Sequence, residues 1–82
     1  MGDIKIKEKI KPFLFRFIKN RDLKDNDDIF ALGYVNSLFA MQLVLFIEKE
    51  FKIRIENQDL DFQNFSSLDR ITGLIAGKVN RV

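Results

Sequence analysis

The chain has 82 residues, with 14 Lys or Arg against 12 Asp or Glu, and it contains neither histidine nor cysteine. A chain of this length forms one domain, which we place at residues 1–82, and it buries only about 60–65% of the surface exposed on unfolding. The missing residue types exclude a serine–histidine pair, a cysteine nucleophile, a disulfide framework and metal sites built from thiolate or imidazole ligands.

Charge is segregated along the chain. Residues 1–24 hold eight Lys or Arg against three acidic residues, whereas residues 25–66 hold three against eight. A basic end can indicate nucleic-acid binding. Because neither an aromatic-interleaved basic stripe nor a glycine-rich phosphate loop accompanies it, we interpret the lysines of residues 5–11 as the solvated face of a helix. No signal peptide is visible, and the densest apolar run is too short to span a bilayer, so we expect a soluble, cytoplasmic protein.

The first predicted element is a helix over residues 4–19. Asp3 could cap its start. Pro12 removes one backbone hydrogen bond from a helix interior at a cost of about 3 kcal/mol, so we expect either a kink there or a start near residue 9 or 10. The apolar positions recur at helical spacing and are Ile6, Ile10, Phe13, Leu14, Phe17 and Ile18.

A polar loop follows over residues 20–36. We expect Ile29, Phe30 and Leu32 to return from this loop to the core. Gly33 near its end permits a turn that few other residues tolerate. The loop therefore leads directly into the next helix.

The second helix is predicted from Ser37 to Phe51. Its core stripe is predicted at Ala40, Leu43, Val44, Ile47 and Phe51. Leu38, Met41 and Leu45 fall on a neighbouring face, one turn apart from each other. A helix that is apolar over this much of its circumference is either deeply buried or meets a partner.

The remaining residues predict an extended link over residues 52–57, a short helical turn over residues 61–65 and a third helix. This helix begins near Ser66, which has the spacing of a capping box with Asp69. Gly73 and Gly77 indicate either close helix packing or a mobile end. Its apolar positions are Leu68, Ile71, Leu74, Ile75 and Val79. We therefore predict an all-α fold, a small bundle of three main helices plus a short helical turn.

Ser37 is the candidate functional residue. A serine before an apolar run is most often a helix N-cap, but Asn36 precedes it and can cap equally well. A helix N-terminus also favours a phosphate group, because free N–H groups and the helix dipole stabilise negative charge. Since no histidine exists to accept its proton, the hydroxyl is more consistent with a group that another enzyme modifies than with a nucleophile.

The ordered set of segments resembles the acyl carrier proteins. Gly33-Tyr34-Val35-Asn36-Ser37-Leu38 is similar to their Gly-x-x-x-Ser-Leu segment, whose serine carries 4'-phosphopantetheine. The likeness extends over the first helix, the helix that ends at Phe51, the Ile53-x-Ile55 link and the last helix opened by Ser-Ser-Leu. It implies an acyl-carrier-like bundle that is not an enzyme, with 4'-phosphopantetheine bound covalently to Ser37 and no metal.

The resemblance also implies a partner-facing surface on the second helix. Leu38, Met41 and Leu45 match its apolar positions, Glu48 matches an acidic contact, and Phe39 stands where acidic residues are common. The implied partners are a phosphopantetheinyl transferase and enzymes for acyl loading and modification, with a ketosynthase or acyltransferase. The carrier would be a monomer that contacts neither nucleic acid nor membrane. The segment from residue 35 to 44 looks most like freestanding carriers of polyketide or hybrid peptide–polyketide biosynthesis.

Two other classes of function stay open at this point. A helical adaptor would use the same apolar face, Leu38, Phe39, Met41 and Leu45, without any modification. An independent hydrolase would need serine–lysine chemistry, for which the sequence indicates neither a pocket nor an oxyanion arrangement. A mass gain after incubation with coenzyme A and a phosphopantetheinyl transferase separates a carrier from both.

Overall fold

The computed structural model describes residues 2–19 and 22–79, and every regular element within them is helical. In chain order the elements are α1 (Asp3–Phe17), α2 (Ser37–Phe51), two 3-10 turns (Asn57–Asp59 and Phe62–Phe65) and α3 (Leu68–Val79). The predicted all-α fold of three main helices is confirmed, with one more 3-10 turn than the sequence predicted. Among the described residues, no helix is long and apolar enough to cross a membrane.

The core lies between the three helices. Its innermost residues are Ile6, Ile10 and Leu14 of α1, Leu43 and Ile47 of α2, and Ile71 and Ile75 of α3. Burying an aliphatic side chain of this size contributes about 1.5–3 kcal/mol relative to leaving it exposed. These contacts hold the three helices together and so fix the position of α2, which carries the candidate site.

α1 begins at Asp3 and continues through Pro12, so of the two alternatives expected for this proline the start near residue 9 or 10 is wrong. Gly2 occupies the capping position, and Asp3 lies in the first turn, where its charge is favourable to the helix dipole. Pro12 deprives the carbonyl of Glu8 of its helical donor. Because both residues are exposed, water can bond to that carbonyl instead.

The loop before α2 is anchored at Ile29. This side chain is fully buried, and its N–H donates to the carbonyl of Ser66 at 2.7 Å. Leu32 is 54% exposed, so its predicted return to the core is wrong. The turn that its N–H closes on the carbonyl of Asp28 leaves the side chain on the outside. Gly33 has a φ of +79°, as expected for a turn that requires glycine.

Ion pairs around Lys7 join α1, the loop and α3. Its Nζ lies 3.1 Å from Oδ2 of Asp25 and 2.9 Å from Oδ1 of Asp69. The hydrogen bond with Asp69, followed by that with Asp25, raises the pKa of Lys7 above its ordinary value of 10.5. The N–H of Asp69 also donates to the carbonyl of Asp25 at 2.9 Å. Opposite charges that are separated in sequence thus meet in the fold.

α3 is capped by Ser67, one residue later than predicted. Its Oγ accepts from the N–H of Arg70 at 3.1 Å. Oγ of Ser66 instead donates to the carbonyl of Gln63 at 3.0 Å and closes the second 3-10 turn. Since Asp69 pairs with Lys7, the predicted capping box between Ser66 and Asp69 is wrong.

The two glycines of α3 lie on its exposed face. A Cβ added at Gly73 or at Gly77 would meet no neighbouring atom within 4 Å. Neither glycine is therefore required for a close approach between helices, and the packing interpretation of these positions is wrong.

α2 begins and ends at the predicted residues, but its buried stripe differs. The buried residues lie four apart and are Phe39, Leu43, Ile47 and Phe51, whereas Ala40 and Val44 are half-buried. Phe39 is only 4% exposed, and its ring centroid lies 5.2 Å from that of Phe17. Its predicted place on the partner-facing surface is wrong, because it lies one turn before Leu43 on the same face.

Candidate functional site

Ser37 is the first residue of α2, and it is exposed. Its hydroxyl does not cap the helix, because Oδ1 of Asn36 accepts from the N–H of Phe39 at 3.2 Å. The carbonyl of Asn36 also accepts from the N–H of Ala40 at 3.1 Å. Within the described residues, Oγ of Ser37 has no hydrogen-bond partner. The hydroxyl is therefore available for modification without loss of a structural contact.

The N-terminus of α2 is favourable for an anion at this hydroxyl. Its first turn contains no acidic residue. In the described part of the chain, the N–H groups of Ser37 and Leu38 have no acceptor. These free donors and the positive end of the helix dipole stabilise negative charge. A phosphate esterified to Ser37 would lie in this field.

An apolar groove of about 210 Å³ begins beside Ser37 and opens to solvent. One wall is α2, which contributes Ser37, Ala40, Met41 and Val44, and the other consists of Leu60, Asp61, Phe62 and Phe65. A closed apolar cavity of about 150 Å³ accommodates a benzene ring. The groove therefore has room for on the order of six to eight carbon atoms.

A comparison with protein families decides what kind of site this is. The family model described as the phosphopantetheine attachment site matches residues 16–75, which include the end of α1, all of α2, the groove and most of α3. The chain belongs to this phosphopantetheine-attachment family, as acyl carrier proteins do. A comparison with curated protein sequences gives no significant match.

The cofactor of this family is 4'-phosphopantetheine, which is bound covalently. The residues around α2 fit the group in two respects. A free hydroxyl and two free N–H groups are available to its phosphate, and the apolar groove starts at the same residue, Ser37. The resemblance to acyl carrier proteins that the sequence predicted is thereby confirmed.

The outer face of α2 in this carrier is apolar. Leu38, Met41 and Leu45 are each 64–67% exposed. Gln42 and Lys49 are exposed beside them, so the exposed residues of this face carry one positive charge. Exposed side chains of this size that line one helix face are typical of a surface that meets a partner.

Glu48 has an internal hydrogen-bond partner. It is half-buried, and its Oε2 accepts from the N–H of Ile55 at 2.9 Å. This bond ties the extended link after α2 back to the helix. Its predicted role as an acidic partner contact stays a prediction, and the carboxylate would have to serve the link and the partner together.

The groove offers little for catalysis. Asp61 is the one titratable side chain that lines it, and Oδ1 of Asp61 accepts from the N–H of Gln63 at 2.9 Å. No lysine lines the groove, so a serine–lysine hydrolase has no support here. Among the described residues, no cluster of acidic side chains could hold a metal ion.

The second wall of the groove was not predicted from the sequence. Leu60 and Phe62 are large apolar residues in an otherwise polar segment, and both remain 55% exposed. Two large apolar residues on either side of Asp61, in a segment with many polar residues, are the signal that could have identified this wall.

Proposed function

We propose that this carrier holds an acyl or extender-unit thioester on 4'-phosphopantetheine attached to Ser37. It delivers the acyl group to partner enzymes of polyketide or hybrid peptide–polyketide biosynthesis. The observation that carries the assignment to Ser37 is that a different residue caps the start of α2. Asn36 caps the helix, whereas the hydroxyl of Ser37 is exposed and has no structural contact among the described residues.

Attachment requires a phosphopantetheinyl transferase and coenzyme A. A bond forms between Oγ of Ser37 and the phosphorus that bears the pantetheine. The pyrophosphate linkage of coenzyme A breaks, and 3',5'-adenosine diphosphate and the hydroxyl proton leave. The N-terminus of α2 stabilises the phosphodiester through its free N–H groups and dipole.

The chain's own role after attachment is to hold and present the acyl group. The thiol of the bound arm supplies the thioester, which activates the acyl carbonyl. We propose that catalysis belongs to the partners, which recognise Leu38, Met41 and Leu45. Tethering raises the concentration of the acyl group near the enzyme that binds the carrier. The groove beside Ser37 would shelter the apolar part of the acyl group from water.

Intact-mass analysis tests the assignment. The protein is incubated with coenzyme A and a broad-specificity phosphopantetheinyl transferase, and we expect a mass gain of one phosphopantetheinyl group. Ser37→Ala should abolish the gain and keep the helical circular dichroism spectrum. The matched control, Ser66→Ala, should still be modified. If Ser37→Ala accepts the arm, the attachment residue lies elsewhere.

A helical adaptor is the second candidate function. It is favoured by the exposure of Leu38, Met41 and Leu45, because an apolar helix face can bind a partner helix or groove without a cofactor. A protein that folds normally and is never modified by the transferase would support this candidate. The monomeric state and the cytoplasmic location stay predictions.

A further inference from the structure

The two walls of the groove beside Ser37 are held in different ways. The α2 wall belongs to a 15-residue helix with a buried stripe. The exposed part of the opposite wall, Leu60 to Phe62, runs from the end of one 3-10 turn into the start of the next. The first turn, Asn57–Asp59, contains no buried residue, whereas the second, Phe62–Phe65, is anchored in the core by Phe65. Leu60 and Phe62 are 55% exposed, so burial of their own side chains does not fix this part of the wall.

Asp59 is the point at which this wall is attached to the rest of the fold. Its Oδ2 lies 2.7 Å from Nζ of Lys78 in the last turn of α3. The same carboxylate oxygen accepts from the N–H of Glu56 at 3.0 Å. The carbonyl of Asp59 accepts from Asn64 Nδ2 and from the N–H of Asp61, each at 2.9 Å. Asp59 thus joins both 3-10 turns to α3.

The ion pair with Lys78 is more sheltered than the two ion pairs of Lys7 and the one between Lys11 and Asp25. The side chains of Asp59 and Lys78 are 16% and 12% exposed, whereas those of the other pairs are 27–49% exposed. Sheltered charges are screened less by water and salt. The edge-to-face packing of Phe62 against Phe30, with ring centroids 5.1 Å apart, and the buried side chain of Phe65 also hold the wall.

We propose that the Asp59–Lys78 ion pair is a latch that holds the Leu60–Phe62 wall against α2 and so sets the room that the groove offers to an acyl group. The effect on an acyl group rests on the proposed function, but the latch itself is a property of the unmodified protein. Asp59 and Lys78 are positioning residues, since neither lines the groove. We expect a longer acyl group to depend on the latch, whereas the two carbon atoms of an acetyl group are too few to fill the groove.

A purely structural role makes a different prediction. Lys78 also lies near the C-terminus of α3, where a positive charge stabilises the helix dipole. If that were its whole effect, the loss of the charge would loosen the end of α3 and leave the wall unchanged. Amide hydrogen exchange at the N–H groups of Asp59 and Leu60, which donate to the carbonyls of Glu56 and Asn57, separates the two roles.

The first measurement uses the unmodified protein. In Lys78→Met we expect the amides of Asp59 and Leu60 to exchange about fivefold faster than in the parent, while that of Ile75 in α3 is unchanged. Lys78→Arg should restore slow exchange. Arg70→Met removes an exposed charge from the same helix and should have no effect on the wall. If Lys78→Met fails to fold, Asp59→Asn tests the same charge.

The second measurement uses protein loaded with an octanoyl or an acetyl thioester. Cleavage by hydroxylamine should accelerate about fivefold for octanoyl in Lys78→Met and stay unchanged for acetyl. Unchanged exchange rates at the amides of Asp59 and Leu60 would refute the latch. Faster exchange there, with an unchanged ratio of octanoyl to acetyl cleavage rates, would refute its effect on the acyl group. If Ser37 is never loaded, the proposed function fails, and the amide exchange still decides the latch.

Discussion

The two faces of α2 are both apolar, yet they differ in what they contact. Leu43 and Ile47 on the inner face are fully buried between α1 and α3, whereas Leu38 and Leu45 on the outer face are about two-thirds exposed. Residue type therefore does not distinguish the core from a recognition surface on this helix. Position around the helix axis does, because one residue changes the direction of a side chain by about 100°.

The largest difference that we expect between the two faces is in stability, and it concerns Leu43. Leu43→Ala removes a fully buried side chain and leaves a cavity, so it should lower the free energy of unfolding by about 3 kcal/mol. Leu45→Ala makes the same chemical change on the outer face and should cost less than about 0.5 kcal/mol. Urea denaturation of both variants measures the difference. Equal losses would show that the outer face is packed in solution.

Transfer to a partner should show the opposite ranking. Met41→Ala removes an exposed apolar anchor and should weaken binding to a cognate enzyme by about 2 kcal/mol, or about 30-fold in the transfer rate at low carrier concentration. Its thermal melting should change little. Leu43→Ala is a better core control for this experiment than Val44→Ala, because Val44 is half-buried and lines the groove. A variant that melts earlier and transfers normally would contradict the division of α2 into two faces.

A smaller effect extends the comparison to α3. Gly73 is exposed in the middle of this helix, and a Cβ there meets no neighbour. Gly73→Ala should therefore raise the free energy of unfolding by up to about 1 kcal/mol, because alanine has the higher helix propensity. Thermal or urea denaturation measures the gain, with Thr72→Ala at the adjacent buried position as a contrasting variant. A loss of stability at Gly73→Ala would indicate a contact that the exposed face does not show.

The smallest effect concerns Lys7, which belongs to neither face of α2. Its pKa is raised by the hydrogen bonds with Asp69 and Asp25, so its stabilising contribution is complete below about pH 10.5 and is lost as the pH rises through the raised value. The stability difference between the parent and Lys7→Met should therefore be larger at pH 8 than at pH 11. Urea midpoints at the two pH values provide the measurement. A difference that stays constant would mean that the ion pairs do not stabilise the fold.

Local signals in the sequence predicted α2 well. The cap at Asn36, the turn at Gly33 and the apolar periodicity together defined a helix from Ser37 to Phe51, and the structure has the same bounds. Such signals depend on residues within a turn or two of each other. The candidate serine could be identified for the same reason.

Features that depend on distant contacts were not predictable in this way. Ser66 and Ser67 are both good caps, and Ser67 takes the role while Ser66 bonds back to Gln63. Leu32 was predicted to be buried and is exposed, whereas Phe39 was predicted to be exposed and is buried. Packing against other elements decides the burial of both residues. Asp59, next to the second wall of the groove, pairs with Lys78, which lies 19 positions later in the chain.

The capping of α2 by Asn36 has a consequence for how a partner distinguishes loaded from empty carrier. Esterification of Ser37 takes no hydrogen bond away from the first turn, because the amide oxygen of Asn36 makes the capping bond. The capping bond at the beginning of the helix is therefore the same before and after modification. An enzyme that must distinguish the two forms cannot rely on the capping of the helix and has to contact the arm, from its phosphodiester to its acyl group, directly.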